Sequence, residues 1–401
     1  MLEGEFQVVV TFNIQHLYHK SAFSDFLRIF TPTPAPTLTR NVSKTRVIMS
    51  DTIPTLRWGI ITTGLISSWF VDDLVIDRKD AKAKHIIQAI GSSSKEKGKA
   101  FAEKHLPGQA PTIYGSYEEV YNDLNVDIIY IGTPHAFHKK NCLDAINAGK
   151  HVLCEKAFTL NAREARAVFE AAKEKGVFVM EAMWTRFYPL TRTVVSLLHE
   201  QKAIGDIQRV FCDFALDQKI ASLGLESRLK DPALGAGSLL DIGIYSLTWG
   251  LLASDSGIGE KAQVPEVAAK QTIQDGFDVA TSAILLYPNG RQAIISSSSL
   301  LGPKSDIICT IQGSSGLIDI TGIPSAPEYF TLHLKDGSSK KYEFERPGRG
   351  FYWEADAVAL DIAAGRVQNE VMPWAETIRV LELLDEIRRQ GGAKFPQDEV
   401  A

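Results

Sequence analysis

From Leu56 onward the chain alternates between two hydrophobic patterns. Five apolar runs, LRWGIIT, HIIQAIGS, VDIIYIGTP, HVLCE and VFVMEA, are short and nearly unbroken. Between them lie TGLISSWFVDDLVI, KEKGKAFAEKHL, HAFHKKNCLDAINAG and NAREARAVFEAAKEKG, which read as amphipathic helices. Continuous apolar strands separated by such helices predict a parallel sheet buried on both faces. Strand–helix–strand crossovers are right-handed, so the fold class is α/β and doubly wound, with HVLCE as the fourth strand. The helix from Asn161 carries its own punctuation. Asn161 can cap it, Glu164 can complete a capping box, and Gly176 stops it.

Beyond about residue 185 the rhythm changes. IQRVFCDFAL, VATSAILLYP, GRQAIISSSSL, SDIICTIQGSSGLIDITG and YFTLHLKD mostly alternate, joined by turn residues such as Pro288-Asn289-Gly290 and Asp336-Gly337. They predict a large, mostly antiparallel open sheet with helices over one face, hence an α+β second domain. PWAETIRVLELLDEIRRQGG reads as an amphipathic helix without a cap, ending at a glycine pair. The expected organisation is an extension over 1–48, a Rossmann dinucleotide-binding domain over 49–182, an α+β domain over 183–370, and a C-terminal helix and tail over 371–401.

Composition narrows the function by exclusion. The 401 residues suffice for two cores, and a formal charge of −5 gives no support to a nucleic-acid partner. Cys142, Cys154, Cys212 and Cys309 form no CxxC or Cys/His cluster, so no disulfide and no metal site is expected, and a reducing cytoplasmic setting is. No apolar run approaches the roughly 18 residues of a membrane helix. Residues 1–48 read as a disordered extension ahead of Met49. Their basic excess allows a mitochondrial presequence, which Glu3 and Glu5 oppose. The sequon Asn41-Val42-Ser43 is read as chance.

The first strand-to-helix turn is Thr62-Thr63-Gly64-Leu65-Ile66-Ser67. It keeps the middle glycine of the GxGxxG fingerprint, in which glycines let backbone approach a pyrophosphate at a helix N-terminus. Thr62 replaces the first glycine and should widen the turn slightly. The second strand ends in Ser92, Ser93, Ser94 and Lys95, where an NAD site usually carries an acid. Hydroxyls and an ammonium suit a 2′-phosphate, which favours NADP over NAD; a solvated polar loop is the alternative.

The stretch IYIGTPHAFHKKNCLDAINAGKHVLCEK resembles the glucose–fructose oxidoreductase/inositol dehydrogenase (Gfo/Idh/MocA) family. MEAMWTRFYPL, GAGSLLDIGIYSL and GFYWEADAVALDIAAG are similar to its subgroup of dimeric dihydrodiol dehydrogenases and fungal NADP-dependent D-xylose dehydrogenases. The resemblance spans Leu56 to Gly392. It implies a catalytic lysine at Lys156 and maps the family's D-x-x-x-H/Y motif onto Asp241 and Tyr245. It also implies that Thr133, Pro134, His138 and Glu155 line the nicotinamide end, and that Trp184 and Arg186 bind substrate. Interdomain core for Trp184 and a salt-bridged neighbour for Arg186 are the alternatives. A homodimer is implied as well.

Chemistry supports the same three catalytic residues. Helical i,i+4 spacing puts Asp241 and Tyr245 on one face. Taking a proton from a sugar hydroxyl needs a base, and an ammonium beside a phenol favours the phenolate. The expectation is therefore Tyr245 as base, Lys156 lowering its pKa and binding the reacting oxygen, and Asp241 orienting both. The family proline after the lysine is Ala157 here; a non-proline cis bond costs roughly 2.5–4 kcal/mol, so a trans bond is expected. The expected reaction is hydride transfer from C1 of an aldopyranose, D-xylose foremost, to NADP. A trans-dihydrodiol is the alternative substrate, and a catalytically silent NADP(H)-binding regulator the alternative class.

Overall fold

The computed structural model describes residues 53–399, so the expectations for residues 1–48 lie outside the described residues. Six strands make the first sheet: β1 (Thr55–Ile61), β2 (Lys84–Gly91), β3 (Thr112–Tyr114), β4 (Ile128–Ile131), β5 (His151–Glu155) and β6 (Val179–Ala182). All pair in parallel, in the order β3-β2-β1-β4-β5-β6. Helices α1 (Leu65–Leu74), α2 (Lys95–His105), α3 (Tyr117–Tyr121), α4 (His135–Asn147) and α5 (Ala162–Lys175) connect them. The chain reverses its direction of travel across the sheet between β1 and β4, which is where such sheets bind ligands beyond their carboxyl ends. HVLCE is the fifth strand rather than the fourth, because the three-residue β3 is too short to leave a periodic signal.

The second sheet has eight strands: β7 (Ile207–Ala215), β8 (Glu266–Gln274), β9 (Phe277–Leu286), β10 (Gln292–Ser298), β11 (Ile307–Gly313), β12 (Gly316–Ile323), β13 (Ala326–Leu334) and β14 (Ser339–Glu343). Their order is β14-β13-β12-β11-β7-β10-β9-β8, antiparallel except for the β7–β10 pair. β8 escapes a hydrophobic reading because nearly all its residues are exposed or half-exposed at the sheet edge. The helix α6 (Pro189–His199) follows the first sheet, and α7 (Ile244–Ser254) lies across β7 and β10.

Two late helices tie the sheets together. α8 (Phe351–Ala363) packs on α1, and α9 (Trp374–Gly391) packs on both α5 and β8. At the start of α8, Asp73 of α1 accepts the backbone N–H groups of Arg349 (3.0 Å), Gly350 (2.6 Å) and Phe351 (3.0 Å). A carboxylate there satisfies otherwise orphaned donors and complements the helix dipole. Gly350 takes φ 98°, and a Cβ at that position would run into Trp353 and Tyr188. The apolar core is continuous from the first sheet through α7 to the second.

Three local readings are corrected. The stretch Pro232–Ser254 is long and apolar enough to cross a membrane by composition, yet 94% of its apolar window is buried inside the protein. Asn161 does cap α5, accepting from Glu164 N at 3.0 Å, but the Glu164 carboxylate turns to Leu160 N (3.4 Å) instead of closing a box on Asn161. The Lys156–Ala157 bond is cis, not trans. Long-range contacts hold that segment: Lys156 O lies 3.2 Å from His135 Nε2, Ala157 O lies 3.0 Å from His138 Nδ1, and Phe158 N donates to Glu181 at 3.1 Å. A local cost argument leaves such contacts out.

Candidate active site

At the β1–α1 turn, Thr62 adopts φ 84°, the left-handed conformation that a glycine would supply. Its hydroxyl pairs with Ser67 Oγ (2.8 Å) and reaches Gly132 O (3.2 Å), so the turn is held in glycine-like form and not widened by the substitution. Gly64 caps α1 with no side-chain partner, and α1 has no acid in its first turn. A Cβ at Gly64 would meet nothing within 4 Å, so the turn opens on free space, with Leu65 exposed and Thr63 and Ile66 half-buried beside it. Free N–H groups and a positive dipole end facing open space fit a pyrophosphate.

The three serines after β2 divide their work. Ser92 is buried, with its Oγ 3.4 Å from Thr63 Oγ1. Ser94 caps α2, accepting from Lys97 N at 3.3 Å. Ser93 is exposed and accepts from Lys97 Nζ at 3.1 Å. The ammonium beside the hydroxyls is therefore Lys97, two positions after the Lys95 that sequence reasoning named.

The opposite end of the site sits at the carboxyl end of β5. Glu155 is 3% exposed, and its carboxylate accepts from Tyr130 Oη (2.7 Å) and from Lys156 N (3.2 Å). Burial pushes Glu155 up to about 7, with Lys156 and the Tyr130 hydrogen bond opposing. Lys156 Nζ crosses to the second sheet's helix, donating to Asp241 O at 2.5 Å and lying 3.7 Å from Asp241 Oδ1 and 5.1 Å from the centre of the Tyr245 ring. Asp241 is held in turn by Gln218 Nε2 (2.7 Å) and Arg228 Nη1 (3.1 Å), neither of which carried a sequence signal. Burial opposes ionisation of Asp241, but Lys156 and Arg228 outweigh it and hold the carboxyl far below its usual range.

Asp241 lies in a π-helical turn, Leu239–Gly243, that leads into α7. Ser238 Oγ (2.9 Å) and Leu239 N (2.8 Å) both donate to buried Asp278, which fixes the entry of this turn. Lys156 thus approaches both Asp241 and Tyr245, which the family resemblance implied, although the local helix is wider than an α-helix there.

Tyr245 is 4% exposed, and its oxygen accepts from Trp184 Nε1 at 2.8 Å. Burial, with the charge of Glu155 adding to it, drives its pKa well above 10, while the ammonium of Lys156 lies over the ring, 5.1 Å from its centre. These surroundings favour the neutral phenol over the phenolate base expected from sequence. Arg186 is corrected too. It is 1% exposed and ion-paired with Glu376 of α9, itself also bound by Arg379, so its guanidinium serves the joint between helices and not a substrate. His138 is fully buried, 2.7 Å from Thr133 O on one side and 3.0 Å from Ala157 O on the other. It braces the loops that carry Thr133, Pro134 and Lys156 instead of lining the site, and burial holds it down to about 4. Among the described residues no His, Cys, Asp and Glu side chains form a cluster that could hold a metal.

Residues 56–183 match the oxidoreductase family with an NAD-binding Rossmann fold, and residues 193–319 match the GFO/IDH/MocA C-terminal domain. The chain belongs to the GFO/IDH/MocA oxidoreductase family. Within the GFO/IDH/MocA proteins it is 33% identical over 367 residues to the D-xylose 1-dehydrogenase (NADP(+)) of Hypocrea jecorina, covering 86% of this chain and 94% of that one. It is also 33% identical over 350 residues to the trans-1,2-dihydrobenzene-1,2-diol dehydrogenase of Sus scrofa, covering 86% and 99%. Its fold matches an aldose-aldose oxidoreductase from Caulobacter crescentus complexed with glycerol, with TM-score 0.72, 22% identity, and 84% and 98% of the two chains covered. A 3-ketoreductase from Actinomadura kijaniata, in complex with NADP and TDP-benzene, gives TM-score 0.70 at 21% identity over 84% and 98%. As a GFO/IDH/MocA member, the chain is a nicotinamide-dependent oxidoreductase.

Proposed function

We propose that this enzyme is an NADP-dependent sugar dehydrogenase that takes hydride from C1 of an aldopyranose, D-xylose foremost, to give the lactone. The observation that carries the reading is the meeting of Lys156 from the first sheet with Asp241 and Tyr245 from the second, at the carboxyl end of β5. Thr62, Thr63, Gly64, Leu65 and Ile66 would hold the pyrophosphate of NADP, Ser93 and Lys97 its 2′-phosphate, and Thr133, Pro134 and Glu155 its nicotinamide end. Bound there, the nicotinamide supplies the hydride chemistry.

The chain's own residues manage the proton. One N–H of Lys156 is committed to Asp241 O, and the rest of its ammonium is free to meet the reacting oxygen. In the carbonyl-reducing direction Lys156 donates the proton, and by microscopic reversibility its neutral amine accepts the hydroxyl proton in the oxidation. The Tyr245 hydroxyl, oriented by Trp184, hydrogen-bonds the same oxygen and fixes its position. Asp241 aims the lysine.

A trans-dihydrodiol is the second reading, because a relative bearing that activity's name is as similar as the xylose dehydrogenase. Appearance of reduced nicotinamide on mixing enzyme and NADP with D-xylose, D-glucose or a trans-dihydrodiol tests all readings. Saturable turnover with xylose supports the proposal; turnover confined to the diol replaces it, and none with any substrate refutes it.

The enzyme pairs into a homodimer through the open face of the second sheet. Ile284, Ile294 and Phe211 lie side by side across β9, β10 and β7, with Ile284 and Phe211 exposed, while α7 and α9 cover the other face. An exposed apolar row across a sheet marks an association surface. Four buried, unbridged cysteines suit a reducing cytoplasmic compartment.

A further inference from the structure

One buried acid is used by nothing described so far. Glu354 on α8 is wholly buried, and neither of its carboxyl oxygens has a hydrogen-bond partner among the described residues. Its position is not peripheral. One turn earlier, Phe351 stacks on Trp184 (ring centres 4.0 Å apart), which bonds Tyr245. Phe351 also meets Phe70 edge-on (6.1 Å), and Phe70 stacks on Tyr130 (3.8 Å), which bonds Glu155. Residues i and i+3 share a helix face, so Glu354 belongs to the wall that joins both halves of the site.

An ionised carboxylate without partners is among the costliest groups to bury. The cations on the elements around it are committed elsewhere: Arg186 of the Trp184–Phe187 turn to Glu376, and Arg78, which follows α1, to Asp356. On α1 itself, Asp73 is spent on the N-terminus of α8, and Asp72 pairs with His105. On α8, Asp356 faces Arg78 and His85, and Asp361 faces Arg366. Tyr130, Tyr188 and Tyr245 face this region as neutral phenols, all raised by burial. Lys156 adjoins Glu155 and acts on it. The charge that bears on Glu354 is that of Glu155, which adds to burial in keeping its proton on.

We infer that Glu354 is kept as a neutral carboxylic acid whose hydrogen supports the Glu155 carboxylate, so that the two acids hold one proton and one negative charge beside the nicotinamide end of the site. A protonated carboxyl gains a donor that the ionised form lacks. Glu155 is buried, and only two donors reach its carboxylate among the described residues. Oxidised nicotinamide carries a positive charge and the reduced ring does not, so the single charge on Glu155 favours binding of the oxidised form. Glu354 is a positioning residue here, acting through Glu155. The inference rests on the proposed placement of the nicotinamide end beside Glu155.

Infrared spectroscopy of the full chain without cofactor tests the protonation directly. A protonated-carboxyl C=O band persisting above neutral pH, and missing in Glu354→Gln, is expected; a spectrum without that band overturns the inference. Affinities for NADP+ and NADPH, read by tryptophan fluorescence across neutrality, test the coupling. Glu354→Gln, whose amide can donate in place of the acid, retains both affinities. In Glu354→Leu the pH at which NADP+ binding strengthens moves up by about one unit, a tenfold change in the proton equilibrium, while NADPH binding holds. Equal weakening of both forms, or an unshifted NADP+ profile, overturns the inference. Should Glu354→Leu not fold, the infrared band and Glu354→Gln still decide. Failure of the wild-type protein to bind either nucleotide refutes the proposed function instead, and the infrared result stands apart from it.

Discussion

Replacing Lys156 tests the proton-transfer assignment most sharply. In the structure its Nζ makes one short bond to Asp241 O and one longer approach to Asp241 Oδ1. Removing it does not strand the Asp241 carboxylate, which keeps Gln218 and Arg228. The folding cost of Lys156→Met is therefore near that of one charged hydrogen bond, about 1.5–3 kcal/mol, and below the 3–5 kcal/mol or so of an abandoned buried charge. The catalytic cost is larger. Positioned acid–base groups contribute roughly 10²–10⁴-fold, which is about 3–5 kcal/mol in the barrier. Steady-state oxidation should show kcat and kcat/KM falling together by that factor, with NADP binding changed little. Lys156→Arg keeps the charge but cannot give up its proton at working pH, so it should be nearly as slow as Lys156→Met. Added methylamine should restore part of the rate to Lys156→Ala. Tyr245→Phe removes one neutral hydrogen bond and should cost only about tenfold. If Lys156→Arg turns over within about tenfold of wild type while Tyr245→Phe is silent, the roles assigned here are reversed.

Other expectations follow from the surroundings of the site. Arg186→Met should lower unfolding free energy in urea by about 1.5–3 kcal/mol, because Glu376 loses one guanidinium but keeps Arg379; xylose KM in the folded variant should be unchanged, and a selective rise in KM would restore Arg186 to substrate binding. Stability should fall as pH drops through the range between the ordinary glutamate value of about 4.3 and the depressed value of about 2 for Glu376, whose carboxylate is favoured in the folded state by Arg186 and Arg379 against burial. Glu155 and Glu181, both raised to about 7 by burial, act with the opposite sign: the folded protein keeps protons that the unfolded chain releases, so their contribution declines as pH rises from about 4.3 to 7 and then levels. Thermal unfolding across pH reads both limbs, and a flat profile contradicts them. Lys97→Glu should weaken NADP binding more than tenfold while leaving NAD binding nearly as it was, measured by fluorescence titration; equal loss of both would place the 2′-phosphate elsewhere.

How much of this was legible along the chain depends on how local each signal is. The buried strands β1, β2, β4, β5 and β6 announce themselves because both faces of a parallel sheet must be apolar. Asn161 and Gly176 mark the ends of α5 because capping is settled within a few residues. Gly64 could be picked out because a turn constrains it, whereas Lys156, Asp241 and Tyr245 came from resemblance to the family's motifs, with helical spacing adding only that Asp241 and Tyr245 share a face. β3 and β8 left no such trace, one too short and the other too exposed. Nothing near Arg186 in sequence reveals that Glu376 waits 190 residues away to bury it. Nor does the stretch around Tyr245 foretell that Trp184 and complete burial will keep its proton on.

The order of apolar and polar residues was thus enough to determine the α/β half and the open second sheet, while resemblance to the family's motifs named the side chains that could carry the chemistry. Only the folded chain decided their surroundings: a phenol buried against Trp184, a lysine paired with Asp241, and a buried acid, Glu354, with no hydrogen-bond partner among the described residues. The physical reason is that hydrophobic periodicity is written in neighbouring residues, whereas desolvation and pairing of charge depend on groups brought together from β5, α7, α8 and α9.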